Sequence, residues 1–300
     1  MKDKLLLTLG IILVIGSGLL LYFYSKSVTP SETEQKSLKV AASIFPLYDI
    51  VKNIIGDKGE VIQILPAGVS PHTFEPKIQD QERINGSDLV FVIGQGLDNW
   101  ANNLLTETNS NSKFIDVSNN ISLLTSEDPE DGAFDPHYWL SISNAQKIAD
   151  NVAAALSNLD RENQDYYAEN LYTYQQELAA TLASALEKVA TLSKKQFITF
   201  HDAFNYFAQE LGLEVIATIE PFPGKEPTPS YLAEVGAIIQ GHNIKVLFKE
   251  PQLSDAIVSA LAQDYGATVK TLDPEGALQE LDSFIKLYNY NVETVVEALK

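Results

Sequence analysis

Cysteine is absent from all 300 residues. That excludes disulfides, thiolate metal sites, thiol nucleophiles and a lipid-modified N-terminal cysteine, so any metal ion must be held by nitrogen and oxygen. Histidine is nearly as scarce, with four copies at positions 72, 137, 201 and 242. Positive charge is in deficit as well: 21 Lys and Arg against 40 Asp and Glu leave a formal charge of −19. Nucleic-acid and anionic-membrane surfaces need clustered Lys and Arg, so the balance argues against both. The acidic excess suits attraction of cations, although most of these carboxylates form a solvated surface.

Glycine and proline are missing from one long stretch, the seventy-five residues from His137 to Leu211. Neither a turn former nor a helix breaker interrupts it, so it reads as a stiff helical connection with a histidine at one end and another near the other. Charge is missing from Leu5–Tyr24, which follows Lys2 and Lys4. As a helix this segment would reach about 30 Å, the thickness of a hydrocarbon core. It is an export signal or a single-span anchor. Its length exceeds the usual signal-peptide apolar core, and Tyr22-Phe23-Tyr24 resembles an interfacial aromatic belt, which favours the anchor over cleavage near Ser25-Lys26-Ser27. Either way the remainder is expected outside the cytoplasm, after a flexible polar tether over 25–37.

What is present is ordinary for a globular protein: 45% apolar and 20% charged residues, in a length suited to about two domains. Short apolar runs at 38–43, 60–65, 88–93 and 113–117 alternate with helical or turn-rich stretches, the pattern of parallel strands with helical crossovers. Runs at 196–200, 214–219, 244–249 and 267–272 repeat the plan, with helices expected over 206–211, 231–240 and 254–265. Between the halves, 144–159 and 163–192 carry apolar stripes at helical spacing. The expected fold is α/β, with two lobes that each hold a four-stranded parallel sheet flanked by helices. One long linking helix joins them. The domain plan is 1–24 signal or anchor, 25–37 tether, 38–160 first lobe, 161–193 linking helix and 194–300 second lobe.

Three histidines follow a strand or its exit loop, where open α/β sheets bind ligands. His72 sits in Ser70-Pro71-His72-Thr73-Phe74-Glu75-Pro76, where flanking prolines restrict the backbone and aim the imidazole. His137 follows Asp135-Pro136 at a helix start, close enough for Asp135 to orient the ring. His201 follows Phe197-Ile198-Thr199-Phe200. Asp273 follows the run 267–272 and precedes Pro274. Each has a plainer role open to it: loop histidine, helix-start contact, hydrogen-bonded core residue, turn or N-cap aspartate. His242, in Gly241-His242-Asn243, reads as a surface turn. Together, three imidazoles and a carboxylate from strand ends in two lobes would form a nitrogen-rich tetrahedral set suited to Zn²⁺.

Seven blocks in order carry a family resemblance: Ser43-Ile44-Phe45-Pro46-Leu47, Ser70 to Pro76, Gly94-Gln95-Gly96-Leu97-Asp98-Asn99-Trp100, Asp135 to Leu140, His201-Asp202-Ala203-Phe204, Phe248-Lys249-Glu250-Pro251-Gln252 and Leu272-Asp273-Pro274. Over roughly Leu38 to Lys300 the chain resembles the metal-binding receptors of ABC importers for zinc and manganese, the ZnuA/TroA-like family. The resemblance implies a single ion in an interlobe cleft, ligated by His72 and His137 from the first lobe and His201 and Asp273 from the second, and delivery to a membrane permease. Manganese receptors of the family tend to carry glutamate where this chain has His201, so the third imidazole favours zinc over the alternative Mn²⁺. Two departures stand out. The loop 119–136 is short and acidic, without the histidines of many zinc relatives, and the missing cysteine removes lipoprotein attachment.

The expectation is therefore an extracytoplasmic, monomeric zinc-capture protein, not an enzyme, because four protein ligands leave no open position for an activated water. Neutral imidazoles are required, so affinity should fall as pH drops through about 6.5. The rivals are a manganese or iron receptor of the same architecture, a zinc hydrolase, for which H-E-x-x-H or a comparable motif is lacking, and a surface adhesin with an incidental metal site.

Overall fold

The computed structural model describes residues 37–106, 113–126, 132–221 and 223–300. The expected membrane segment 5–24, nearly all of the tether and part of the acidic loop lie outside them. Among the described residues no helix is long and apolar enough to cross a membrane.

In the first half, Leu38–Ala42 (β1), Gly59–Gln63 (β2), Leu89–Val92 (β3) and Lys113–Asp116 (β4) form one sheet in the order β2-β1-β3-β4, every neighbour parallel. The central strands β1 and β3 are almost wholly buried, which explains why they read as continuous apolar runs rather than as alternating patterns. Phe45–Ile55 (α1), Ile78–Ile84 (α2) and Trp100–Thr106 (α3) make the crossovers. Pro46 sits in the first turn of α1, where its missing N–H costs nothing, and Gly56 ends the helix at φ 55°. The strand order reverses about β1, so a crevice opens at the carboxyl ends of β1 and β3.

The stretch without glycine or proline is not one rod. It holds a short turn over Tyr138–Leu140, then Ile142–Leu159 (α4), a single turn over Arg161–Asn163, and Gln164–Ala190 (α5). At 27 residues α5 is about 40 Å long, and it is the long helix that joins the halves.

The second half has Gln196–Thr199 (β5), Glu214–Thr218 (β6), Val246–Lys249 (β7) and Thr268–Thr271 (β8), with helices Asn205–Leu211 (α6), Pro229–Gly241 (α7), Ala256–Tyr265 (α8) and Phe284–Leu299 (α9). The α/β plan with parallel strands holds, but the ladders form two parallel pairs, β5-β6 and β7-β8, rather than one continuous sheet. The register shifts between Phe197 and Ile198, where Ile216 is the extra residue, so the bulge lies in β6. β5 and β7 meet instead through side chains, the Phe197 and Phe248 rings standing edge to face at 6.0 Å. Helix α9 was not anticipated: its Tyr, Asn and Val content has weak helix propensity. Burial of Phe284, Leu287, Tyr288, Val292, Val295, Val296 and Leu299 along one face supplies what propensity does not.

One apolar cluster runs through both halves, from Val40 and Phe91 through Tyr167 and Leu178 to Phe207, Phe284 and Tyr288, while a smaller one around Ile198, Leu247 and Val258 closes the second half. Two carboxylates stitch the halves by capping each other's helices. Glu210 of α6 accepts from Ile142 N, Ser143 N and Ser141 Oγ at 2.7–2.9 Å, at the N-terminus of α4. Asp49 of α1 accepts from Phe284 N at 2.9 Å, at the N-terminus of α9. Residues 38–300 accordingly form one compact unit.

Candidate metal centre

His72 lies in the loop after β2. Trp100 at the start of α3 pins that loop by donating its indole N–H to Pro71 O at 3.1 Å and packing edge to face on Phe74 at 4.8 Å. His137 stands ahead of the Tyr138–Leu140 turn, which is held by Tyr138 Oη donating to Ile93 O at 2.6 Å and Trp139 Nε1 donating to Pro274 O at 2.9 Å. His201 leaves β5 at its carboxyl end.

These three rings, far apart in sequence, meet. His137 Nε2 is 3.1 Å from His72 Nε2 and 3.3 Å from His201 Nε2, and the three ligand nitrogens lie within 4.8 Å of one another. A tetrahedral ion with Zn–N bonds of 2.0–2.1 Å sets its ligand nitrogens about 3.3 Å apart. The observed spacing therefore fits a small cation that shares all three lone pairs.

The far side of two rings fixes which nitrogen carries the lone pair. His137 Nδ1 is 2.8 Å from Asp135 Oδ1, and His201 Nδ1 is 2.7 Å from Glu250 Oε2. A carboxylate can only accept, so each Nδ1 holds the proton and each Nε2 is left as a donor to metal. Asp135 also accepts from His137 N at 2.9 Å and is itself held by Asn205 Nδ2 at 3.3 Å. The orienting role expected of Asp135 is thus seen. That of Glu250 was not foreseen from the sequence, because only the side-by-side placement of β5 and β7 brings it to His201.

Asp273 is fully buried, but it is not among the residues whose ligand atoms cluster. Its Oδ1 accepts from Glu275 N at 3.0 Å, Gly276 N at 2.8 Å and Gln252 Nε2 at 3.3 Å, and its Oδ2 from Leu278 N at 2.9 Å. It organises the 273–278 loop, which Asn291 of α9 grips through both Asp273 N and O at 2.9 and 2.7 Å. In that loop Glu275 is buried, and its Oε2 has no hydrogen-bond partner among the described residues. Burial, then the nearby Glu250 and Asp273 carboxylates, push the Glu275 carboxyl well above its ordinary range. His242 is exposed at the end of α7, its Nδ1 2.9 Å from Gln196 Oε1, away from the other three.

Charge around the rings has one sign. Asp135, Glu220, Glu250, Asp273 and Glu275 are all buried, and no Lys or Arg is buried among the described residues. Glu220 is also pushed up, first by burial and with Glu250 adding repulsion. An added cation would relieve this repulsion, whereas an anion would add to it. Access is graded: His137 and His201 are 0% and 3% exposed, while His72 is half-buried. Gly224, in the left-handed region at φ 87°, brings the second half close to Thr73 beside His72.

Two α/β halves braced by a long helix, with an imidazole triad between them, define the class of two-lobed binding proteins that hold a single small ion. The family model described as "Zinc-uptake complex component A periplasmic" matches residues 40–298, and the chain belongs to that family. It is 28% identical to the high-affinity zinc uptake system protein ZnuA of Bacillus subtilis (strain 168), covering 97% of each chain. It is also 28% identical to the manganese ABC transporter substrate-binding lipoprotein PsaA of Streptococcus anginosus, over 97% of this chain and 98% of that one. A crystal structure of a ZnuA deletion mutant with zinc bound superposes with a TM-score of 0.81 at 28% identity, over 88% of this chain and 99% of the other. Members of the family are extracytoplasmic substrate-binding proteins, and such proteins are not enzymes.

Proposed function

We propose that this protein is an extracytoplasmic receptor that captures Zn²⁺ and delivers it to an ABC permease, working as a monomer tethered by Leu5–Tyr24. The ion is held by His72, His137 and His201, and the single observation that carries this is the approach of His137 Nε2 to His72 Nε2 at 3.1 Å and to His201 Nε2 at 3.3 Å, the three ligand nitrogens lying within 4.8 Å of one another. The fourth donor is a carboxylate of the 273–276 loop. Asp273 is the expected one; Glu275, two residues on, offers the oxygen without a hydrogen-bond partner. Four protein donors fill the shell and leave no site for an attacking water, so the centre holds its cargo and does not turn over substrate. The half-buried His72 would be the first contact for an arriving ion, with the two buried rings completing the site.

Three nitrogen donors favour zinc over manganese, whose preference is for carboxylate-rich sites. A manganese receptor is the second reading, because a relative of that name is as similar as the zinc one. Competition calorimetry on chelator-stripped protein separates the two. Zinc should displace manganese, and His201→Ala should weaken zinc by about a hundredfold or more. His201→Glu should move the preference toward manganese. Of Asp273→Asn and Glu275→Gln, the one that lowers zinc affinity with the melting temperature unchanged marks the fourth donor. Zinc binding no tighter than manganese in the unaltered protein would overturn the zinc assignment.

A further inference from the structure

We propose that the edge of the second half opposite the histidines carries a second binding site, for a small amphipathic anion: a carboxylate, phosphate or sulfonate on an apolar body. A crevice of about 570 Å³ opens where β5 and β7 begin, within the size range of small-molecule sites. Phe197, Phe248 and Leu299 form its apolar floor. Lys194, Lys195 and Lys245 stand around it.

The charge of this crevice runs against the rest of the molecule. Acidic residues outnumber basic ones 40 to 21 over the chain, yet here three lysines face one acidic side chain, Glu214. Lys300, which also lines the crevice, adds a fourth. Glu214 is already engaged, accepting from Gln196 Nε2 at 2.8 Å, and Gln196 turns its Oε1 to His242 Nδ1 at 2.9 Å. Elsewhere in this half Lys249, Lys270 and Lys286 are neutralised by Asp255, Glu297 and Asp282 at 2.6–2.9 Å. Lys194 and Lys245 make no ion pair among the described residues and are exposed. Lys195 is fixed by donating to Val189 O. An anionic head group would neutralise these ammonium groups, and an apolar body would cover the Phe197 and Phe248 edges that line the floor.

The site is separate from the ion centre. Gln196 opens β5 and His201 follows its end, and five residues of extended chain span roughly 17 Å. The test uses the full chain loaded with zinc and the fluorescent probe anilinonaphthalene sulfonate. Binding should show saturable enhancement that octanoate and octyl phosphate reverse and acetate and inorganic phosphate do not. Lys194→Glu/Lys245→Glu should weaken the probe by about tenfold or more, since it replaces attraction with like-charge repulsion. Ala298→Phe, which fills the crevice without changing charge, should do the same. Zinc affinity should not change in either variant. Probe binding that survives both variants would overturn the proposal. Reversal by inorganic phosphate as effective as by octyl phosphate would also overturn it, by showing that the apolar floor is not used.

Discussion

At the scale of single residues, the proposed ion centre depends on groups outside the three imidazoles. Glu250 holds His201 Nδ1 at 2.7–2.8 Å, which sets both the tautomer and the direction of Nε2. Glu250→Gln keeps the size but can present its amide N–H₂ to the ring and so favour the wrong tautomer. Zinc affinity should fall by about 10–100-fold with little change in fold, as read by titration against a chelating dye; unchanged affinity would mean His201 is aimed by packing alone. Asp98 is a second case. Its carboxylate accepts from Ile93 N at 2.6 Å and Gly94 N at 2.9 Å, bracing the strand end whose carbonyl holds Tyr138 beside His137. Burial raises its pKa from 3.8 to about 6 despite those hydrogen bonds. For an acid shifted upward, the neutral form is favoured in the folded state. Stability from this group is therefore present below pH 3.8, is lost as pH rises to about 6, and the charge costs about 3 kcal/mol at neutrality. Asp98→Asn should remove that slope from the denaturation profile between these pH values: at acid pH it should lower stability, since one N–H loses its acceptor, whereas near neutrality relief of the buried charge should offset that loss.

At the scale of elements, the helix ends carry the connections between the halves. Ser141 caps α4 from within the chain, its Oγ accepting from Asn144 N at 3.2 Å. Glu210 reaches the same end from the other half, meeting two N–H groups and a hydroxyl, with Tyr288 Oη donating to it at 3.1 Å. A negative charge there also opposes the positive end of the α4 dipole. Glu210→Ala should cost about 2–3 kcal/mol, seen as a lower urea midpoint, whereas Glu187→Ala, an exposed change on α5, should cost almost nothing. Strands were legible as short continuous apolar runs, and long helices because their apolar residues recur with period 3.6. Helix α9 was not, since Tyr288, Asn289, Tyr290, Asn291 and Val292 favour no helix until burial against the shared core selects it.

At the scale of the whole molecule, the halves do not behave as beads on a hinge. A common apolar cluster, the α5 brace, the Glu210 and Asp49 caps and the Trp139–Pro274 bond all cross between them. Breaking several of these together for each opening would be costly, so ion binding should order the loops around His72 and Gly224 rather than rotate one half against the other. Solution scattering with and without zinc should give radii of gyration equal to within about an ångström, well short of the expansion of a hinge-bending receptor. A change of several ångströms would show that the caps open.

Residue type and pattern were enough for the α/β plan and the linking helix and pointed to the three histidines as candidates, because apolar runs, the helix period, strand-exit positions and proline-flanked loops are local properties of a chain. Their meeting was a different matter. Whether the imidazole nitrogens stood 3 Å or 30 Å apart, that Glu250 would aim His201, and that the Asp273 oxygens would be taken up by their own loop depended on how β5 lies beside β7 and how α9 grips that loop. Those are long-range packing outcomes with no local signature, so only the folded chain could decide them.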